Sequence, residues 1–282
     1  MALWAASAMQ PTFVVLTDLS EPVEVALKYA TRLASELAGQ LVLLNVYQDP
    51  LLEPESAMMT MPLVMESRQQ VKAALAQRAK LLPVPAEVVV STESLEATIT
   101  ELVHRYHPLA FVLGREHPET LLDRLLPHQA APVLQAACYP VLLVPDCWRD
   151  TQLPSRLAVA ADEDTFWLTT PSMALGTLMA RLRPTTTVVH VAPHDGPSHA
   201  EVGLQSVRRT CLFGVLTNNS LYEVRGESPV DGILHAADEL HADMLVVMAR
   251  PHTFLGGLFH RSVTARLLRC SSRPVLVLPT TN

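Results

Sequence analysis

The chain spells one series of short apolar runs and then spells it again. The first series is Phe13–Leu16, Leu41–Val46, Pro85–Val90, Leu109–Leu113 and Pro140–Pro145. The second is Leu157–Ala161, Thr186–Val191, Ser220–Val224, Met244–Met248 and Pro274–Pro279. Landmarks return with the runs: Asp18 as Asp162, Val46 as Val191, Gly114 as Ala249, His117 as His252 and Pro140 as Pro274, at offsets between 134 and 145. A long, nearly fixed period marks a repeated structural unit, so one duplication explains the pattern better than one large sheet. A length of 282 residues also suits two domains. The expected division is an extension over 1–10, a first domain over 11–147 and a second over 156–282. The join falls in the polar stretch Asp146–Ser155, which contains Pro154.

The runs are continuous rather than alternating, as expected of strands covered by helices on both faces of a parallel sheet. Helical spacing lies between them. Ser20 can cap a helix, Pro22 suits its first turn, and Ala26, Ala30, Leu33 and Leu37 form one stripe that Gly39 ends. Glu66–Leu82 carries Val71, Leu75, Ala79 and Leu82 at the same spacing; Leu95–Tyr106 and Thr120–Ala137 supply two more helices. The order β-α-β-α-β-α-β-α-β, run twice, is that of two doubly wound α/β domains.

Hydrophobic residues make up 49% of the chain and charged residues 17%, enough apolar material for two cores and against global disorder. A net charge of −7 makes nucleic acid a poor partner, because nothing offsets the phosphate backbone. No apolar run approaches the ~20 residues of a membrane span. Met1–Gln10 lacks a basic start and a long apolar centre, so it reads as a short extension and not a signal peptide. Cys138, Cys147, Cys211 and Cys270 have no metal-type spacing and are expected as small hydrophobes without disulfides. These points together favour the cytoplasm.

The strand ending Val15-Leu16-Thr17-Asp18-Leu19-Ser20-Glu21-Pro22, and the helix with Ala26, Leu27 and Ala30 leading into Leu41–Val46, resemble the opening of universal stress protein domains. Ala242–Met248 resembles the family's fourth strand. Arg261-Ser262-Val263, Leu267-Leu268 and Pro274–Pro279 resemble its last helix and strand. The resemblance implies a flavodoxin-like (Rossmann-like) five-stranded parallel sheet of order 3-2-1-4-5 in each half. It also implies pairing of the halves as an intrachain pseudo-dimer, often through their fifth strands. An apolar fifth strand at a sheet edge invites such pairing on physical grounds as well.

Some members of that family bind ATP through Gly-x-x-Gly, nine residues, then Gly followed by Ser or Thr, after the fourth strand. Glycines let backbone N–H groups crowd the phosphates, and the next helix contributes its N-terminus. In the first copy Gly114 fills the first seat, but His117, Pro127 and His128 occupy the rest, and Pro127 has no N–H. In the second copy, counting from Ala249, His252 takes the second seat, and Arg261-Ser262 stands one residue short. The surviving candidates are Asp18, Val46 and Gly114 in the first copy, and Asp162, Val191, Arg250, Arg261 and Ser262 in the second. Asp18 and Asp162 stand at the carboxyl edge of the first strand, where doubly wound sheets bind ligands, but also where an Asp caps a turn. Ser262 is placed to cap a helix, and Arg250 and Arg261 to neutralise a phosphate or to stand in solvent.

Other constellations carry less. His190 and His194 have metal-like spacing, yet His190 stands where the first copy has Asn45, which favours a hydrogen-bonding strand-end role. His104 and His107 lie at a helix end without a third ligand. No nucleophile motif or paired-carboxylate signature is present, so no catalytic residue and no metal site are assigned. The Met- and Pro-rich stretch Asp49–Ser67 reads as a connector, a lid or an adaptable surface without a counterpart in the second copy. The expectation is a regulatory, binding tandem stress protein that is not an enzyme. It has no tightly held cofactor, and ATP or another nucleotide is the alternative ligand, mainly in the second half as a switch or slow ATPase. It would have an unidentified protein partner and further pairing into a homodimer.

Overall fold

The computed structural model describes residues 10–18, 21–46, 57–115, 133, 138–150, 152–250 and 262–281. In the first half, strands β1 (Thr12–Leu16), β2 (Gln40–Val46), β3 (Ala86–Ser91), β4 (Ala110–Arg115) and β5 (Val141–Pro145) alternate with helices α1 (Glu21–Glu36), α2 (Ala57–Lys80) and α3 (Leu95–Tyr106). In the second half, β6 (Arg156–Ala160) is followed by a two-residue strand β7 (Trp167–Leu168), then by α4 (Thr170–Ala174), α5 (Gly176–Leu182), β8 (Thr185–Ala192), α6 (Ala200–Arg209), β9 (Leu221–Arg225), α7 (Pro229–Glu239), β10 (Met244–Ala249), α8 (Val263–Cys270) and β11 (Val275–Thr281). The helix expected over Thr120–Ala137 lies outside the described residues except for Val133, which is buried.

The strand order is β3-β2-β1-β4-β5-β11-β10-β6-β8-β9. Each half is a 3-2-1-4-5 parallel unit. The two fifth strands pair antiparallel, which makes one hydrogen-bonded sheet of what the repeat alone presents as two. The seam has its own symmetry: Leu142 faces Leu276, its equivalent at the 134-residue offset, while Val141 faces Val277 and Leu143 faces Val275. This is an isologous contact about a pseudo-two-fold axis, drawn within one chain.

Helices cover both faces, and each core runs across the seam. One face buries Val14, Leu44, Phe111 and Val141 with Leu245, Val247, Val275 and Val277 beneath α3, α7 and α8. The other buries Phe13, Val15, Leu43 and Leu142 with Val159, Val188, Val246 and Leu276 beneath α1, α5 and α6. Each fully buried Leu or Val contributes roughly 1.5–3 kcal/mol. Polar contacts also bind the halves: Arg181 pairs with Glu36 at 2.9 Å, and the Thr169 hydroxyl donates to the Cys138 carbonyl at 3.2 Å. At the join, the Asp243 carboxylate accepts from the backbone N–H groups of Ser155 and Arg156, from the Ser155 hydroxyl and from the Arg156 guanidinium. Burial alone would raise its pKa, but these donors outweigh that and hold the carboxyl below its ordinary range.

Several local expectations are corrected. The left-handed residue that ends α1 is Ala38 (φ 48), not Gly39. Glycine is required at 39 because a Cβ there would stand 2.4 Å from the Pro11 carbonyl oxygen. Much of the stretch expected as a connector is helical, since α2 begins at Ala57 and runs on through Pro62, with methionine a good helix former. The four cysteines are free thiols, as expected, but all are exposed. Each stands at the end of a helix or strand or in the turn beside one, and Cys138 and Cys211 take left-handed conformations (φ 50 and 53) outside the core. No described helix is long and apolar enough to cross a membrane.

Candidate functional site

The carboxyl ends of β6, β8 and β10 open around the point where the chain reverses direction in the second half, the position at which doubly wound sheets leave a crevice. There a cleft of about 530 Å³ is lined on its floor by Ala160, Val189, Val247 and Met248. Its rim carries Asp162, Glu163, Asp164 and Arg250, and its far wall is formed by Ile233 of α7 and Val263 and Thr264 of α8. Gly203 of α6 lets the rim loop sit this close, because a Cβ at that position would lie 2.9 Å from the Asp162 carbonyl oxygen.

Asp162 follows the first strand, as expected. One carboxylate oxygen closes a turn by accepting from the Asp164 N–H at 3.2 Å, and the group also receives Arg250 as a two-pronged partner, Nη2 at 2.7 Å and Nε at 3.3 Å. The same guanidinium donates to the backbone carbonyls of Asp164 (3.2 Å) and Thr165 (3.3 Å). Arg250 is therefore held by its own loop and is not a freely solvated arginine. Its side chain is 19% exposed against 57% for Asp162.

His190 is 5% exposed at the cleft floor, and its Nδ1 lies 3.0 Å from the Ala161 carbonyl oxygen. A carbonyl only accepts, so Nδ1 donates to it. In the first half, Asn45 does the same work: its amide donates to the Thr17 carbonyl, the counterpart of Ala161, at 2.7 Å. The strand-end role expected for His190 is what the geometry shows, and no group of three or more potential metal ligands occurs among the described residues. The loop 193–199 is lashed to β9. Arg225 donates to the Gly196 carbonyl, and the Ser198 hydroxyl donates to Glu223. That hydrogen bond, with Arg225 beside it, holds the Glu223 carboxyl below its usual range.

Val191 lines the cleft, and Ser262 caps α8 by accepting from the Ala265 N–H at 3.1 Å, at the helix end that reaches the cleft. Arg261 lies outside the described residues. In the first half, Asp18 is exposed at the equivalent edge, Val46 ends β2 and Gly114 lies one residue from the end of β4. These three are not gathered with the second-half residues, since they belong to the other unit of the sheet.

The strand register corrects the pairing of Gly114 with Ala249. Gly114 faces Val144 and Arg115 faces Pro145, whereas Met248 faces Leu278 and Ala249 faces Pro279. The first strands agree, Val15 facing Val112 and Val159 facing Val246. Gly114 is therefore equivalent to Met248, and Arg115 to Ala249. Counted from Met248, the seats of the phosphate signature fall on Met248, Pro251, Arg261 and Ser262, at full spacing and not one residue short.

Sequence reasoning missed Arg115. It is 3% exposed, and its guanidinium reaches across the seam to the carbonyls of Arg269 and Ser271, at the C-terminal end of α8. A cation there satisfies terminal carbonyls and complements the helix dipole. A charged residue closing an apolar fourth strand was the available signal.

The comparisons agree with this architecture. The model of the universal stress protein family matches residues 9–145 and 216–279, well over half of the chain. The unmatched interval spans β6 to α6, where the short strand β7 and the rim loop stand. No curated protein matches the chain by sequence. The crystal structure of a universal stress protein from Archaeoglobus fulgidus is similar at 18% identity, covering 94% of this chain and 97% of that one, with a TM-score of 0.64. A functionally unknown protein from Pseudomonas aeruginosa is similar at 18% identity, covering 97% and 93%, with a TM-score of 0.58. At such identities the structures speak for the fold, and the family model for the lineage: the chain belongs to the universal stress protein family.

Proposed function

We propose that this family member works in the stress response by binding rather than by catalysis, as a regulatory protein whose second half carries the ligand cleft, and that it does not hold ATP tightly. The observation that carries this reading is the Asp162–Arg250 pair. Among the described residues three carboxylates and one guanidinium line the cleft, and that guanidinium is already paired with Asp162 at 2.7 Å and with the Asp164 carboxylate at 3.8 Å. On those residues a triphosphate would meet net negative charge where it needs donors. The sequence of the signature seats supports the same reading, since Met248, Pro251 and Arg261 stand where the signature has glycine, and Pro251 offers no N–H. The reading includes no metal and no resident cofactor. It places the chain in the cytoplasm with its thiols reduced, and gives it an unidentified protein partner.

Denaturing the purified protein and identifying the released small molecules by mass spectrometry tests the proposal, together with calorimetric titration of magnesium ATP. The expected result is no retained ATP and no micromolar signal; stoichiometric ATP in the extract would overturn it. A second reading, a nucleotide switch or slow ATPase seated in the second half, is favoured by the N-terminus of α8 on the cleft wall beside Ser262. A rise of several degrees in unfolding temperature with one of ATP, ADP or AMP would favour it, because a ligand that binds only the native state stabilises that state.

A further inference from the structure

The geometry points to Arg250 as the specificity-determining residue of the second-half cleft: a resident guanidinium that fills an acceptor cage and bars it to any ligand docking through planar N–H donors. The inference rests on the binding role proposed for the cleft and adds what that cleft rejects.

The cage is built entirely of acceptors. Both carboxylate oxygens of Asp162 and the carbonyls of Asp164 and Thr165 converge on the one guanidinium, at 2.7–3.3 Å. Four acceptors about a flat, five-donor cation is the arrangement that guanidinium and amidinium groups select. Alongside it, His190 is buried on the cleft floor with its Nδ1 turned to the Ala161 carbonyl. The cage thus calls for N–H donors, and the apolar lining of Phe166, Val189, Val247 and Met248 calls for a flat ring beside them. The chain supplies the donor itself. Arg250 stands one residue beyond the end of β10, so it competes with any free ligand at a high effective concentration.

In the wild-type protein, flat cationic donors are excluded, and the cleft is left to ligands that use its apolar lining. Removing the guanidinium converts the cage into a site for them. Benzamidine is the probe, a planar amidinium on an aromatic ring with no phosphate, so the outcome does not depend on whether ATP binds. In calorimetric or ligand-observed NMR titration, Arg250→Ala should bind benzamidine at least about tenfold more tightly than the wild type, and Arg250→Ala/Asp162→Asn should lose that gain. Arg250→Met keeps the aliphatic stem and serves if the alanine variant does not fold. Equal binding by wild type and variant, or a gain that survives loss of the Asp162 charge, overturns the proposal. A measurement without any Arg250 variant reads the same contact: NMR exchange of the Arg250 Nε–H should be slow in the wild type and fast in Asp162→Asn. Fast exchange in the wild type also overturns it.

Discussion

The carboxyl edges of the two sheet halves share a backbone and differ in what an arginine does there. In the first half Arg115 lies within the fourth strand, is buried, and leaves its own unit to hold the end of α8 in the other. In the second half Ala249 takes that strand position, and the arginine comes one residue later, where it turns into its own cleft and binds Asp162. A shift of one residue reverses a strand side chain from one face of the sheet to the other. Arg115 is thereby structural and Arg250 is part of a site, although the short runs Gly114-Arg115 and Ala249-Arg250 look alike.

Stability measurements can break or sharpen that contrast. Arg115→Ala should have the largest effect, a loss of about 3 kcal/mol in urea unfolding, because two helix-terminal carbonyls, one buried and one partly buried, lose a charged donor. A loss as small as that of a surface substitution would show that the seam does not need this strap.

Asp243→Asn comes next, at about 2 kcal/mol near pH 7, since the carboxylate collects four donors at the join. Its folded pKa is depressed, so its stabilisation is complete above the ordinary carboxylate value of about 3.9 and fades as pH falls through the folded value. Unfolding free energies of wild type and variant should therefore converge in acid; a gap that stays constant down to low pH would contradict the assignment.

His190→Ala should lose about 1–1.5 kcal/mol, the net value of a buried hydrogen bond, while His190→Asn restores the donor that the first half uses. If asparagine rescues nothing in thermal unfolding, the two strand ends are not equivalent devices. Arg250→Ala should have the smallest effect, below about 1 kcal/mol, because its partner is largely exposed and screened. A loss matching that of Arg115→Ala would erase the distinction between strap and gate.

Periodicity carried the fold well. The continuous apolar runs mark strands covered on both faces, and the helix Leu95–Tyr106 stands where the spacing put it. What the spacing could not show depends on contacts distant in the chain. Gly39 reads as a helix terminator because glycine tolerates left-handed backbone, but its reason is the Pro11 carbonyl across the sheet end. The two-residue strand β7 is too short for any periodic signal and exists because it pairs with Thr280 and Thr281 of β11. The slip between Gly114 and Ala249 arose because matching by residue type favours Gly with Ala, and only strand pairing fixes the register. At the site, Asp162 and Val191 were legible from their place at the strand ends. That Arg250 answers Asp162 was not, since 88 residues separate them and a lone arginine carries no sign of its partner.

The antiparallel seam has a consequence for how such a molecule changes over generations. When two identical subunits meet about a two-fold axis, every substitution is made on both sides at once, and neither copy can drift from its twin. Here Leu142 and Leu276 preserve the axis while a peptide chain joins the partners, so each side is free to change without the other. Their association is also insensitive to dilution, which lets a scarce protein hold its shape without waiting for a mate.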